Sequence, residues 1–391
     1  MKRSIINRLI RSFEAKASGP IQGSKEWLAL RRIGGSRKRG RIGGSEIATL
    51  LGLNPYGNKR SLMFEKMGKK KNIVDNLFTN YGNLMEEVSV MVFEKAFNTD
   101  VFCKNISLVD PNKVNSFIFS PDGICAMPIR DNEITIDEIR DDDKCCPVLI
   151  EIKNPWSRPI AQNGDIPTQY VPQIQAGLLA IPMLHGGIFI DCQTKLCSFN
   201  DLENDYGYNS VLHNGKASLD KDTEPLYKGM IAVRGKCPKD FWAKNASYIN
   251  FNSKKIYDFS NMNYMNTLSI LRAIRSGSMD AEYLPICEDV DELDNVKKDL
   301  LNKDDICGII SFKVFDISYT SMYRDSDIIH KIKTEISKYD NGDLDIDEDY
   351  VPRKRKRTSP DISRMPSLSF DSSSESDNKE SYNINESSGE D

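Results

Sequence analysis

No apolar run in the 391-residue chain approaches the roughly 18 residues a membrane-spanning helix needs, and no signal peptide opens it. A protein that is neither secreted nor membrane-bound is expected. The nine cysteines include no C-x-x-C pair, and Cys145-Cys146 and Cys192…Cys197 are poorly spaced for zinc. Reduced thiols in a cytosolic or nuclear compartment follow, without structural zinc. Residues 340–349 alternate acids with apolar side chains but lack the Gly and closing Glu of an EF-hand, which excludes calcium binding of that kind. No repeat is evident across residues 192–305. There is also little net charge, formally −4, but this conceals a strong polarity. Residues 1–71 carry 18 Lys/Arg against 4 Asp/Glu, whereas residues 358–391 carry 2 against 8. A basic front is the footprint expected of a nucleic-acid-binding protein, or simply a solvated basic surface.

What is present suffices for a full core. With 39% hydrophobic and 28% charged residues, the chain has room for one large or two modest domains. Its centre is the stretch from Ser120 to Lys153. Phe117-Ile118-Phe119 reads as a strand running into Ser120-Pro121-Asp122-Gly123, and Ile124-Cys125-Ala126-Met127 leaves that turn as another. A further apolar run starts at Pro147 and ends in Glu151-Ile152-Lys153. The period of two sends Glu151 and Lys153 to one side and Ile152 to the other. Two acids beside a lysine are what metal-assisted phosphodiester hydrolysis requires. The acids suit Mg²⁺, which activates a water and neutralises the phosphate, and the lysine steadies developing charge. Taken alone, Glu-x-Lys also describes the wet face of an ordinary strand.

The remaining elements flank this stretch. Residues 1–23 are expected to form a loosely held basic arm. Ser24 reads as the N-cap of a helix through Trp27. A loop of glycines and cations, residues 34–45, then enters a helix over 46–51 that stops at Gly52 and Asn54-Pro55. Such a turn leaves N–H groups for an anion, with the Ser45 hydroxyl and the Arg41 fork beside it, although Ser45 also suits a plain cap. A short helix spans 61–67. Leu77, Tyr81, Leu84, Val88 and Val92 recur at helical spacing and predict a helix over 77–97, with Glu86 at the edge of its apolar stripe. Residues 130–144 read as a polar hairpin-like loop. A helix over 166–180 carries Tyr170, Gln173 and Gly177 on one side, and 186–191 reads as a core strand. From 192 to 305 the pattern weakens into an insertion with one helix near 265–274. A strand over 308–315 and a helix over 325–339 close the fold. Beyond lies a Ser- and acid-rich tail expected to be disordered. Its basic run, Arg353, Lys354, Arg355, Lys356 and Arg357, suits nuclear import or nonspecific DNA contact.

Four ordered blocks resemble the λ-exonuclease-like (YqaJ-type viral recombinase) branch of the PD-(D/E)xK nucleases. They are Arg41-Ile42-Gly43-Gly44-Ser45-Glu46-Ile47 with Leu51–Tyr56, Tyr81–Glu86, Ser120–Gly123, and Glu151–Pro155 with Tyr170–Gln175. The resemblance covers about residues 24–191 and implies an α/β (α+β), restriction-endonuclease-like core: a central mixed sheet flanked by helices. It implies the domain plan of a basic arm (1–23), nuclease core (24–191), insertion (192–305), closing strand and helix (306–339) and tail (340–391). It further implies that Glu86, Asp122, Glu151 and the Ile152 carbonyl surround two Mg²⁺ ions, with Mn²⁺ as a substitute. Lys153 would be the catalytic lysine, and Gln173 with Tyr170 would support the nucleophile. Arg41, Ser45, Ser120 and Arg158 would line a pocket for a 5′-terminal phosphate. The implied activity is Mg²⁺-dependent 5′→3′ digestion of double-stranded DNA ends in viral recombination or repair. The implied partners are a single-strand annealing protein and further copies in a trimer. An endonuclease on the same core, or an inactive DNA-binding protein, is the alternative.

Overall fold

The computed structural model describes residues 1–17, 19–32, 39–69, 76–109, 116–156, 158–160, 164–203, 224–242, 247–251, 254–303 and 305–344. The basic run at 353–357, the acidic tail and residues 34–38 of the glycine-cation loop therefore lie outside the described residues. All of the described residues fall within one compact unit, Met1–Pro352.

The chain begins with helix α1 (Arg3–Glu14) instead of a loose arm. Ile6 and Ile10 are fully buried, and the Met1 carbonyl accepts the Cys145 N–H at 2.7 Å. An i,i+4 apolar pair is enough to seat a basic helix when its other face stays wet. Helix α2 (Lys25–Arg31) starts where Ser24 caps it, the Ser24 Oγ accepting from the Trp27 N–H at 3.1 Å. Strand β1 (Ile42–Gly43), a 3₁₀ turn over Gly44–Glu46 and helix α3 (Ile47–Leu50) follow, then α4 (Lys59–Lys66) and α5 (Leu77–Phe97). The long α5 has the predicted bounds; Asn76 caps its start, and Asn98 ends it in the left-handed region at φ 47°.

Short strands β2 (Val101–Phe102), β3 (Leu108–Val109) and β4 (Phe117–Phe119) precede β5 (Gly123–Arg130), which pairs with the two-residue β6 (Glu133–Ile134) as the expected hairpin. Strand β7 (Cys145–Lys153) runs antiparallel to β5, and helix α6 (Val171–Ala180) crosses over to β8 (Gly186–Cys197), which lies parallel to β7. The predicted helix over 166–180 begins late, because Pro172 belongs at its first turn. Gly177 lets α6 lie close on the sheet: a Cβ there would stand 2.5 Å from Leu149 Cδ2.

The segment expected as an insertion supplies β9 (Tyr227–Gly235), β10 (Tyr248–Phe251), β11 (Lys254–Asp258), α7 (Tyr264–Arg275), β12 (Met279–Tyr283) and α8 (Val290–Leu301). Strand β13 (Ile306–Tyr323) and helix α9 (Ser326–Asn341) close the fold. The central sheet runs β10-β11-β13-β8-β7-β5-β2, with β9 also on β13. It is mixed and flanked by helices, as expected. Residues 192–305 are thus woven into the main sheet at β8, β9 and β11. The reason is length: the 18-residue β13 pairs with β8 over one stretch and with β9 over another.

Candidate active site

The register of β5 on β7 pairs Gly123 with Ile150, which puts the preceding Asp122 across from Glu151. Opposed residues in an antiparallel pair share a face, so the two carboxylates meet, and Lys153 joins them two residues on. Asp122 Oδ2 accepts the Ile152 N–H at 2.8 Å. Lys153 Nζ donates to Glu151 Oε1 and to the Ile152 carbonyl, the latter at 2.8 Å, and stands 3.9 Å from Asp122 Oδ2. Glu151 is fully buried and its Oε2 makes no hydrogen bond. Glu86 approaches from α5, within electrostatic reach of Asp122, Lys153 and Glu151.

Electrostatics mark this cluster as short of positive charge. Burial, and then the charge of Asp122, raises the Glu151 pKa to about 8, even against Lys153. Burial raises Asp122 as well, opposed by Lys153 and the Ile152 N–H. Glu86 is raised well above the ordinary carboxylate range by burial, then by Asp122. Lys153 moves upward: burial opposes its charge, but Glu151 and Asp122 outweigh it. Three acids pushed toward protonation with one ammonium among them form a donor set that a hard divalent cation would satisfy. The uncompensated Glu151 Oε2 and the Ile152 carbonyl are oxygens of the right kind. Among the described residues, no three acid, His or Cys side chains stand as a ready metal cage, and Lys153 closes over the acids instead.

Tyr170, the residue before α6, stacks on Phe189 at 5.4 Å and lies 5.3 Å from Lys153 Nζ, measured to its ring centre. Gln173 sits half-buried in the first turn of α6, its N–H on the Tyr170 carbonyl at 3.1 Å. Arg158 stands over the same Tyr170 ring, 5.8 Å from its centre, and pairs with the buried Asp191 of β8.

Ser45 and Ser120 belong to a second cluster, built around β1 and its parallel neighbour β4. Ser45 is exposed in the 3₁₀ turn; Ser120 accepts the Trp27 indole N–H at 3.1 Å. Arg41 is buried just before β1. Sequence reasoning missed the other arginine there. Arg31 lies over Trp27 at 4.7 Å and so close to Gly43 that a Cβ at 43 would stand 2.7 Å from its Nη2. Glu46 fixes it at 2.8 Å and binds Lys66 at 2.7 Å. The i,i+4 spacing of Trp27 and Arg31 on α2 was the available signal.

Residues 26–180 match the sequence profile of the YqaJ-like viral recombinase domain. Protein D345L of African swine fever virus (isolate Tick/Malawi/Lil 20-1/1983) is 31% identical over 244 residues, 58% of this chain and 66% of that protein. The chain thus spans just under two thirds of that relative. Uncharacterized protein R354 of Acanthamoeba polyphaga mimivirus is 27% identical over 167 residues, 41% of this chain and 27% of that protein. Among solved structures, the alkaline exonuclease LHK-Exo from Laribacter hongkongensis aligns at 17% identity and a TM-score of 0.29, over 44% of this chain and 74% of that one. That likeness is too slight to argue from.

Proposed function

We propose that the chain, whose residues 26–180 match the YqaJ-like viral recombinase domain, is a Mg²⁺-dependent exonuclease acting 5′→3′ on double-stranded DNA. One observation carries the reading: Asp122, Glu151 and Lys153 converge on adjacent strands, with the Glu151 Oε2 buried and unanswered.

Glu86, Asp122, Glu151 and the Ile152 carbonyl would hold the cation. Bound there, Mg²⁺ would lower the pKa of a water and neutralise the phosphate. Lys153 keeps its proton, because the acids around it raise its pKa, so it serves as a charge donor to the developing phosphorane oxygens and not as a base. Its bond to the Ile152 carbonyl keeps the ammonium beside the oxygens that would hold the cation. Tyr170 walls the site, and its neighbour Gln173 supports the attacking side.

The 5′-end preference would reside in the second cluster. The exposed Ser45, with Ser120 and Arg41 from the sequence and Arg31 from the structure, suits a terminal phosphate, for which a planar guanidinium is well shaped. A linear duplex with 5′-phosphates should be degraded with Mg²⁺ and spared with chelator. Covalently closed circular duplex should be spared throughout. Cutting of the circle would instead support an endonuclease.

A further inference from the structure

We infer that Asp191 is a positioning residue of this site: its buried carboxylate holds Arg158 against the Tyr170 ring, beside Lys153, where the guanidinium meets an oxygen of the phosphate being cleaved. The inference rests on the nuclease reading above and adds two residues to its catalytic side.

The sheet sets the geometry. Strands β7 and β8 run parallel with Lys153 opposite Asp191, so the two side chains share the face that carries Glu151. Asp191 has no exposure, and its two oxygens receive Arg158 Nη1 at 2.5 Å and Nη2 at 2.8 Å. A bidentate pair fixes the plane of a guanidinium as well as its position. The Arg158 side chain keeps 29% exposure, and five N–H donors exceed what one carboxylate takes. Arg158 and Lys153 stand 5.8 and 5.3 Å from the centre of one Tyr170 ring, so both cations border the same side chain of the site.

The segment leading to Arg158 is clamped at Asn154 and Trp156. Asn154 Oδ1 accepts from Ser89 Oγ at 2.7 Å, the Trp156 carbonyl accepts from the buried Lys195 at 2.7 Å, and the Trp156 ring meets Tyr81 edge-on at 4.7 Å. A carboxylate buried at a site already rich in acids would be unfavourable without a cation held on it. Arg158 answers it, while its contacts tie it to the acid–lysine centre and not to Ser45 or Ser120.

The test uses the full chain on linear duplex with Mg²⁺, comparing Asp191→Asn, Arg158→Ala and the double variant. Asp191→Asn should lower kcat roughly 10- to 100-fold with KM within about twofold. The double variant should be no slower than Arg158→Ala alone, because Asp191 acts through Arg158. The ratio of rates on 5′-phosphorylated and 5′-hydroxyl ends should stay at the parent value. A kcat within about twofold of the parent for Asp191→Asn, multiplying effects, or a lost end preference each overturns the inference. If Asp191→Asn does not fold, the half-exposed Arg158 decides: Arg158→Ala must lower kcat, and Arg158→Lys must restore part of it. A parent chain that cuts nothing sinks the nuclease reading itself, a result distinct from an active enzyme indifferent to Asp191.

Discussion

Glu46 and Glu151 are both glutamates drawn into the protein beside a lysine, yet their surroundings push them in opposite directions. Glu46 has Arg31, Lys66 and the Gly43 N–H around it, and although burial works against its charge these lower its pKa to about 2. Glu151 has one lysine, two further acids and an oxygen without a partner, and its pKa rises to about 8. The first is a completed ion cluster that holds a turn. The second carries more buried negative charge than its one lysine balances, which is what the proposed metal site needs. Burial alone does not separate structural from functional carboxylates; the balance of neighbouring charge does.

The largest expected effect lies on the incomplete side. Lys153→Ala should lower cleavage by about 10³-fold or more, because the ammonium that meets charge in the transition state is removed, and should also lower the melting temperature, because the buried Glu151 and Asp122 lose their counter-ion. A variant that still cuts at the parent rate breaks the functional half of the contrast.

Next comes the same substitution at both glutamates. Glu46→Gln strands the buried Lys66 and should cost about 3 kcal/mol or more in denaturant unfolding. Glu151→Gln removes repulsion from Asp122 while losing part of the Lys153 bond, and should stay within about 1 kcal/mol of the parent while losing activity. Equal destabilisation at the two positions would erase the distinction.

Arg31→Ala tests whether the completed cluster also serves the substrate. The preference for a 5′-phosphate over a 5′-hydroxyl should fall about 10-fold, the worth of one charge-assisted hydrogen bond. An unchanged preference confines Arg31 to structure.

The smallest effect is on pH dependence. Glu151 binds its proton more tightly folded, at about 8, than unfolded, at 4.5, so it withdraws stability from the metal-free protein as pH climbs through that window. Glu46 contributes stability that is complete above 4.5 and lost as pH falls toward 2. Added Mg²⁺ competes with the Glu151 proton and should raise the melting temperature more at about pH 8.5 than at about pH 6.5. A larger rise at the lower pH would reverse the charge logic.

Much of this was legible in the sequence. Helix α5 was set by its apolar period, and the Asp122, Glu151 and Lys153 positions by a turn and a two-residue alternation. The Leu77, Tyr81 and Leu84 spacing survives because local packing decides it. What escaped depends on partners distant in the chain. Residues 192–305 read as an insertion because the pairing of β9 with β13 spans scores of residues and leaves no local period. Asp191 read as the end of a core strand; its role appears only once β8 lies against β7. Arg31 sat unnoticed beside the more conspicuous Gly-Gly-Ser turn. The first helix was hidden because Ile6 and Ile10 are outnumbered by cations.

The most direct measurement places linear 5′-phosphorylated duplex with the parent chain and with Lys153→Ala, each in Mg²⁺ and in chelator, on one gel. Degradation by the parent in Mg²⁺ alone is expected. Degradation that persists in chelator, or in the Lys153→Ala lane, contradicts a metal-dependent centre at Asp122, Glu151 and Lys153.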